Sequence, residues 1–171
     1  LVNAVCFRVA ADSDSDGSLE SYTVTRTLAS GVKSSNRRNS TEEGSPYSTK
    51  LTGIEPKHTV TVTMGANNVT STAYDEDTNE IKISSVTGNI TITVAVTEYT
   101  VTNTLASGVT NSNTATKVLK NASYSGTLSG ITTETVAVTM GGETVTSEVY
   151  DSSTKKIEID AVTGNIVITV S

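Results

Sequence analysis

The 171-residue chain carries a formal net charge of −6, which argues against binding to a phosphate backbone. It has no run of about 18 apolar residues, so no segment reads as a membrane-spanning helix and no membrane insertion is expected. Cys6 stands alone and excludes an internal disulfide framework.

Residues 1–10 alternate as a strand would, with Phe7 and Val9 apolar around Cys6 and Arg8. In that pattern Cys6 is expected to be a buried, inert thiol. The chain opens on Leu1 rather than Met, so this strand is expected to finish a preceding domain. Asp12, Asp14, Asp16 and Gly17 imitate the start of a D-x-D-x-D-G calcium loop. The twelfth position of such a loop wants a bidentate Glu but holds Thr23, and no helix pattern flanks the segment. A solvated acidic linker is therefore expected over Asp12, Asp14 and Asp16, with calcium as the lesser alternative and no other cofactor. Residues 1–21 read as the end of one domain plus this linker.

From Tyr22 onward the chain is one module written twice. Tyr22-Thr-Val-Thr-Arg-Thr-Leu-Ala-Ser-Gly-Val32 returns as Tyr99-Thr-Val-Thr-Asn-Thr-Leu-Ala-Ser-Gly-Val109, an offset of 77. Thr59-Val-Thr-Val-Thr-Met-Gly65 returns as Thr135-Val-Ala-Val-Thr-Met-Gly141, and Val86-Thr-Gly-Asn-Ile90 as Val162-Thr-Gly-Asn-Ile166, both offset by 76. The repeat predicts modules over residues 22–98 and 99–171.

Within a module the hydrophobic period is two, the period of a half-buried strand. Strands are predicted near 22–28, 47–52, 58–64, 68–74, 80–86 and 90–97, with no competing helix. Comparing the copies sharpens the reading. Val60, Val62, Met64, Ile81, Ile83, Ile90, Ile92 and Val94 keep their type in the second copy, and Val96 continues the alternation of Ile90, Ile92 and Val94. The alternate positions drift, even across sign: Lys82 becomes Glu158 and Ser84 becomes Asp160. The first set is the expected core and the second the solvated face. All six tyrosines fall in matched pairs (Tyr22 with Tyr99, Tyr47 with Tyr124, Tyr74 with Tyr150), which points to structural rings rather than ligand platforms.

Turns are predicted at Gly88-Asn89 and Gly164-Asn165 as two-residue hairpins, at Met64–Asn68 with Met140–Thr144, and at Asp75–Glu80 with Asp151–Lys156. Asp75 and Asp151 are expected to bond backbone N–H groups there. Val94–Val101 holds neither Gly nor Pro, so the last strand of one module should run almost straight into the first of the next, giving a semi-rigid rod.

The stretches Val138-Thr-Met-Gly-Gly142, Val145-Thr-Ser147 and Val162-Thr-Gly-Asn-Ile-Val-Ile-Thr169 resemble the bacterial immunoglobulin-like repeats appended to tailed-phage virion proteins and to Gram-positive surface proteins. The resemblance covers residues 22–171. It implies an all-β chain of two tandem immunoglobulin-like β-sandwiches, exposed on a virion tail, neck or head fibre or on a cell surface, that hold weakly to glycans. The modules lack the paired Cys and buried Trp of antibody domains, and β-grasp repeats of bacterial adhesins remain the fold alternative.

The chain offers little chemistry. His58 is the sole histidine and is matched by Glu134, so a Ser-His-Asp arrangement cannot occur twice. A surface histidine at a strand start is expected. The variable segment Lys33–Pro46, matched by Thr110–Ser123, is the best place for recognition. Its candidates are Asn36, Arg37 and Arg38, with Asn113 and Lys117 in the second copy. Arg37 and Arg38 could clamp a carboxylate or sulfate on a glycan, or simply pair with Glu42 and Glu43. The expected function is non-enzymatic display, with reach and weak multivalent adhesion. The expected partners are glycans and, through the N-terminal part, other virion or filament subunits in a homo-oligomeric assembly. An adhesin stalk or an accessory carbohydrate-binding module of a secreted enzyme is the alternative.

Overall fold

A computed structural model of the chain describes residues 19–171. The strand expected over residues 1–10, with Cys6, and the acidic candidates Asp12, Asp14 and Asp16 lie outside the described residues. The chain divides into two compact units. One takes the described residues through Ile54 together with Thr59–Ala95; the other takes Glu55–His58 and Val96–Ser171.

β-Branched side chains at period two favour pleated backbone, and both units are built of strands. In the first, β1 (Ser21–Leu28), β2 (Lys33–Ser34), β3 (Ser40–Glu42), β4 (Tyr47–Thr52), β5 (His58–Met64) and β6 (Asn67–Asn68) come in order. A single helical turn, α1 (Thr70–Ala73), then leads to β7 (Tyr74–Asp75), β8 (Glu80–Ile83) and β9 (Ile90–Val96). The second unit repeats this as β10 (Glu98–Thr104), β11 (Thr110–Asn111), β12 (Lys117–Leu119), β13 (Tyr124–Ser129), β14 (Val136–Met140) and β15 (Glu143–Thr144). It continues through α2 (Thr146–Val149), β16 (Tyr150–Asp151), β17 (Lys156–Ile159) and β18 (Ile166–Val170).

Each unit is a two-sheet, sandwich-like arrangement. The first has a five-stranded sheet in the order β3-β1-β9-β5-β6 and a four-stranded sheet in the order β2-β4-β8-β7. The second has β12-β10-β18-β14-β15 and β11-β13-β17-β16. In both, the first and last long strands pair in parallel inside the larger sheet: Val24 faces Ile90 through to Leu28 facing Val94, and Val101 faces Ile166 through to Thr104 facing Thr169. Parallel neighbours need a crossover connection, and here nearly the whole unit is that crossover.

The inward rows lie where the repeat comparison places them. Val62, Ile81, Ile90 and Ile92 are fully buried in the first unit, as are Val138, Ile157, Ile166 and Ile168 in the second. Val60 and Met64 are only partly buried and pack against the rim of the core. Val96 departs from the expectation: at the end of β9 it is 47% exposed. The charge reversal on the outer face has a concrete explanation. Glu80 and Lys82 form an ion pair along β8, and Lys156 and Glu158 form the same pair inverted along β17. Two compensating changes keep one exposed pair, which contributes little to stability.

Three turn and strand expectations need correction. The strand read over 68–74 breaks into β6, α1 and β7. Thr70 Oγ1 accepts from Val62 N at 2.8 Å and donates to Val62 O at 3.3 Å, taking the place of a neighbouring strand, so the chain is released into a helical turn. Thr146 does the same to Val138. Gly88-Asn89 does not close a hairpin, because β8 and β9 belong to different sheets. The two-residue hairpin turn is Gly65-Ala66, inside the turn expected at Met64–Asn68, with Gly65 at φ 59°. The variable segment Lys33–Pro46, where no strand was predicted, contains the short strands β2 and β3.

Asp75 opens its turn as expected, accepting from Asp77 N at 3.0 Å and Thr78 N at 3.2 Å. Within that turn Asn79 holds φ 55° and Lys155, its equivalent, φ 58°. Asn tolerates this left-handed region better than Lys does, and Asn79 also accepts from the Tyr74 hydroxyl at 2.7 Å. Lys155→Asn is therefore expected to stabilise the second unit by about 1 kcal/mol, read as a raised denaturant midpoint; an unchanged midpoint would count against the turn geometry.

Candidate functional site

The expected recognition segment is anchored by the residues that persist between copies. Asn36 Nδ2 donates to Ser48 O at 2.9 Å, and its Oδ1 accepts from Arg38 N at 3.1 Å. Asn113 repeats both bonds, to Ser125 O at 2.8 Å and from Ala115 N at 3.0 Å. Ser35 and Ser112 complete the attachment by accepting from Lys50 N and Thr127 N. Asn36 and Asn113 thus hold the segment on β4 and β13. Lys117 lies on β12, its ammonium 3.2 Å from Glu98.

Arg37 and Arg38 are exposed. Neither joins Glu42 or Glu43; among the described residues the ion pairs are Lys57–Glu55, Lys82–Glu80, Lys117–Glu98 and Lys156–Glu158. The two arginines diverge. Arg38 borders a depression of about 850 Å³ beside β3 and Leu19. Arg37 borders a shallow depression of about 310 Å³ walled by Arg26, Leu28, Val32, Lys33 and Asn39.

The second unit carries that same depression at the equivalent place. There it measures about 360 Å³, and Asn103, Leu105, Val109, Thr110 and Thr114 line it. Leu28 and Val32 correspond to Leu105 and Val109, so the apolar wall persists. Arg26, Lys33 and Arg37 correspond to Asn103, Thr110 and Thr114, so the charge does not.

Arg26, missed in the sequence reading, is the central residue of the first depression. It lies on β1, half-buried, and donates to Tyr47 Oη at 3.0 Å, to Asn39 Oδ1 at 3.4 Å and to the carbonyl of Arg38. Its Nε is buried without a hydrogen-bond partner. The available signal was the Arg-to-Asn change at position 26 inside an otherwise identical eleven-residue repeat. In the second unit Asn103 Oδ1 accepts from Asn111 Nδ2 at 2.8 Å, and the same Nδ2 donates to Tyr124 Oη at 3.1 Å. Tyr47 and Tyr124 are buried, as their repeat-matching suggested; burial pushes the Tyr124 hydroxyl above its ordinary pKa.

His58 is buried rather than superficial. Its Nδ1 accepts from Glu55 N at 2.9 Å and so closes a turn. Glu134 performs the same task with a carboxylate, accepting from Thr132 N at 2.6 Å and Thr133 N at 3.0 Å. These backbone donors pull the Glu134 carboxyl from 4.5 down to about 2. The Asp151 carboxyl falls from 3.8 to about 2, chiefly through the Ser153 hydroxyl and then its backbone N–H. Carboxylates depressed by folding stabilise the fold fully above their unfolded values, and that stabilisation disappears as pH falls through the folded ones. The second unit is thus expected to weaken between about pH 5 and about pH 2. Glu134→Gln with Asp151→Asn should flatten this dependence in denaturant titrations, and an unaltered slope would contradict the assignment.

Among the described residues no group of three His, Cys, Asp or Glu side chains could hold a metal ion, and no helix is long and apolar enough to cross a membrane. No protein-family model, no curated protein and no solved structure matches the chain.

Proposed function

We propose that the chain is a non-enzymatic display protein whose repeated β-modules present variable surface segments for weak, multivalent adhesion to glycans. The exposed setting suggested by the sequence resemblance is a phage virion appendage. The observation that carries this reading is the pair of equivalent depressions: Leu28 and Val32, or Leu105 and Val109, form the same wall in each unit, while the polar lining differs. A constant scaffold under a changing skin is the arrangement expected where a surface is selected for what it touches. Weak contacts become useful through copy number.

The strand order matches neither module family weighed in full: two sheets with only a four-residue helical turn depart from a β-grasp repeat, and the parallel pair departs from an immunoglobulin sandwich. Immunoglobulin sandwiches are built from two antiparallel sheets, whereas β1 and β9 run parallel inside their sheet.

A glycan array probed with the wild-type chain and with Arg37→Ala/Arg38→Ala tests the proposal. Broad, weak binding that needs multivalent presentation is expected. Tight binding to one sugar would favour a dedicated carbohydrate-binding module, and binding to none would refute the adhesive role.

A further inference from the structure

We infer that the depression walled by Arg26, Lys33 and Arg37 in the first unit binds the oxyanion of an acidic sugar, a carboxylate or a sulfate ester. This rests on the display reading and names its ligand class. The chain as a whole is acidic, yet three of its four arginines, Arg26, Arg37 and Arg38, gather on and beside this one segment. The lining of the depression includes three cations and no carboxylate. Arg26 is half-buried, and no described carboxylate pairs with it. Its guanidinium leans on neutral acceptors, Asn39 Oδ1, the Arg38 carbonyl and the Tyr47 hydroxyl, so its charge adds to the positive field that Lys33 and Arg37 present to an anion.

The remaining lining suits a sugar. Leu28 and Val32 offer an apolar wall for the C–H face of a pyranose ring, while Lys33 and Arg37 stand exposed beside it. Arg presents a planar fork that matches carboxylate or sulfate oxygens in a bidentate way. A volume of about 310 Å³ lies at the small end of ligand sites, enough for a single sugar residue of a longer chain. The second unit supplies the control, since its equivalent depression keeps the wall and loses every charge.

The test is an NMR titration of the full chain with a hyaluronan tetrasaccharide (carboxylate only), a chondroitin sulfate tetrasaccharide (carboxylate and sulfate) and neutral maltotetraose. The acidic sugars are expected to shift the amides of Arg26 and residues 33–39 while leaving residues 110–116 unmoved. The preference between the two acidic sugars identifies the oxyanion. Lys33→Ala/Arg37→Ala, both at exposed positions, should weaken binding by about tenfold or more with spectral dispersion unchanged. Thr110→Lys/Thr114→Arg should make the second unit respond as well. An equal response to maltotetraose, or to inorganic sulfate at matched ionic strength, overturns the inference, as does a response that the first variant leaves intact. If neutral sugars bind elsewhere, the display reading survives this failure; if no glycan binds in the titration or on the array, both fall.

Discussion

Gly164→Ala is expected to destabilise the second unit by about 2–3 kcal/mol, because an added methyl group would meet backbone that cannot retreat. A Cβ at Gly164 would lie 2.5 Å from Gly141 Cα and 2.7 Å from Gly141 N. Gly141 is itself held in the tight β14–β15 turn at φ 63°, with its N–H donated to Asn165 O at 2.9 Å. The Met-Gly turn and the Thr-Gly-Asn-Ile segment, 23 residues apart in the chain, are therefore one packed junction. Asn165 extends it by accepting from Thr100 N at 2.9 Å, which ties the first strand of the unit to the same corner. Gly88→Ala should cost less, since its nearest obstacle, Gly65 N, lies at 3.1 Å. Denaturant unfolding followed by residue-resolved NMR separates the two units; equal tolerance at both glycines would contradict the packing described.

Gly126→Thr should cost somewhat less, because it meets the end of a side chain rather than backbone, and, unlike the first substitution, should be rescued by a second. A Cβ at Gly126 would lie 2.3 Å from Asn111 Oδ1. In the first unit the same two positions are Thr49 and Ser34, whose hydroxyls bond at 2.7 Å, and Thr49 Oγ1 accepts from Asn36 N at 3.0 Å. In the second unit Asn111 Oδ1 takes over that task, accepting from Asn113 N at 3.1 Å. One pair carries its oxygen on β4, the other on β11, and only one of the two positions has room for it. Gly126→Thr alone is expected to cost about 1–2 kcal/mol, and Asn111→Ser should recover most of that loss when combined with it. Additive losses in a double-mutant cycle would sink the exchange.

The contrast between these two sites explains what could be read from residues alone. Period-two alternation compared across two copies located the buried rows, because burial on one sheet face is a local pattern. It could not anticipate Thr70 acting as a surrogate strand partner for Val62, since that depends on a side chain meeting backbone eight residues away. Nor could it show that Gly88-Asn89 crosses between sheets: a glycine required for close approach looks like a glycine required for a turn. His58 looked superficial because only the fold places it in a buried turn, where it accepts a backbone N–H. In the candidate site, Arg37 and Lys33 lay within the segment singled out for variability. Asn36 and Asn113 were named as recognition candidates, and the bonds they make to β4 and β13 give them a part in attaching the segment. Arg26 was hidden in a strand, where a lone substitution between repeats was the one visible trace.

The parallel pairing of each unit's opening and closing strands is the feature on which the sheet order, the core and the position of the depression all depend. Interstrand NOEs in a uniformly labelled sample test it directly. Amide-to-α-proton contacts stepping in the same direction from Val24/Ile90 to Leu28/Val94, and from Val101/Ile166 to Thr104/Thr169, are predicted. Strong α-proton to α-proton contacts across either pair, the mark of antiparallel neighbours, would contradict it.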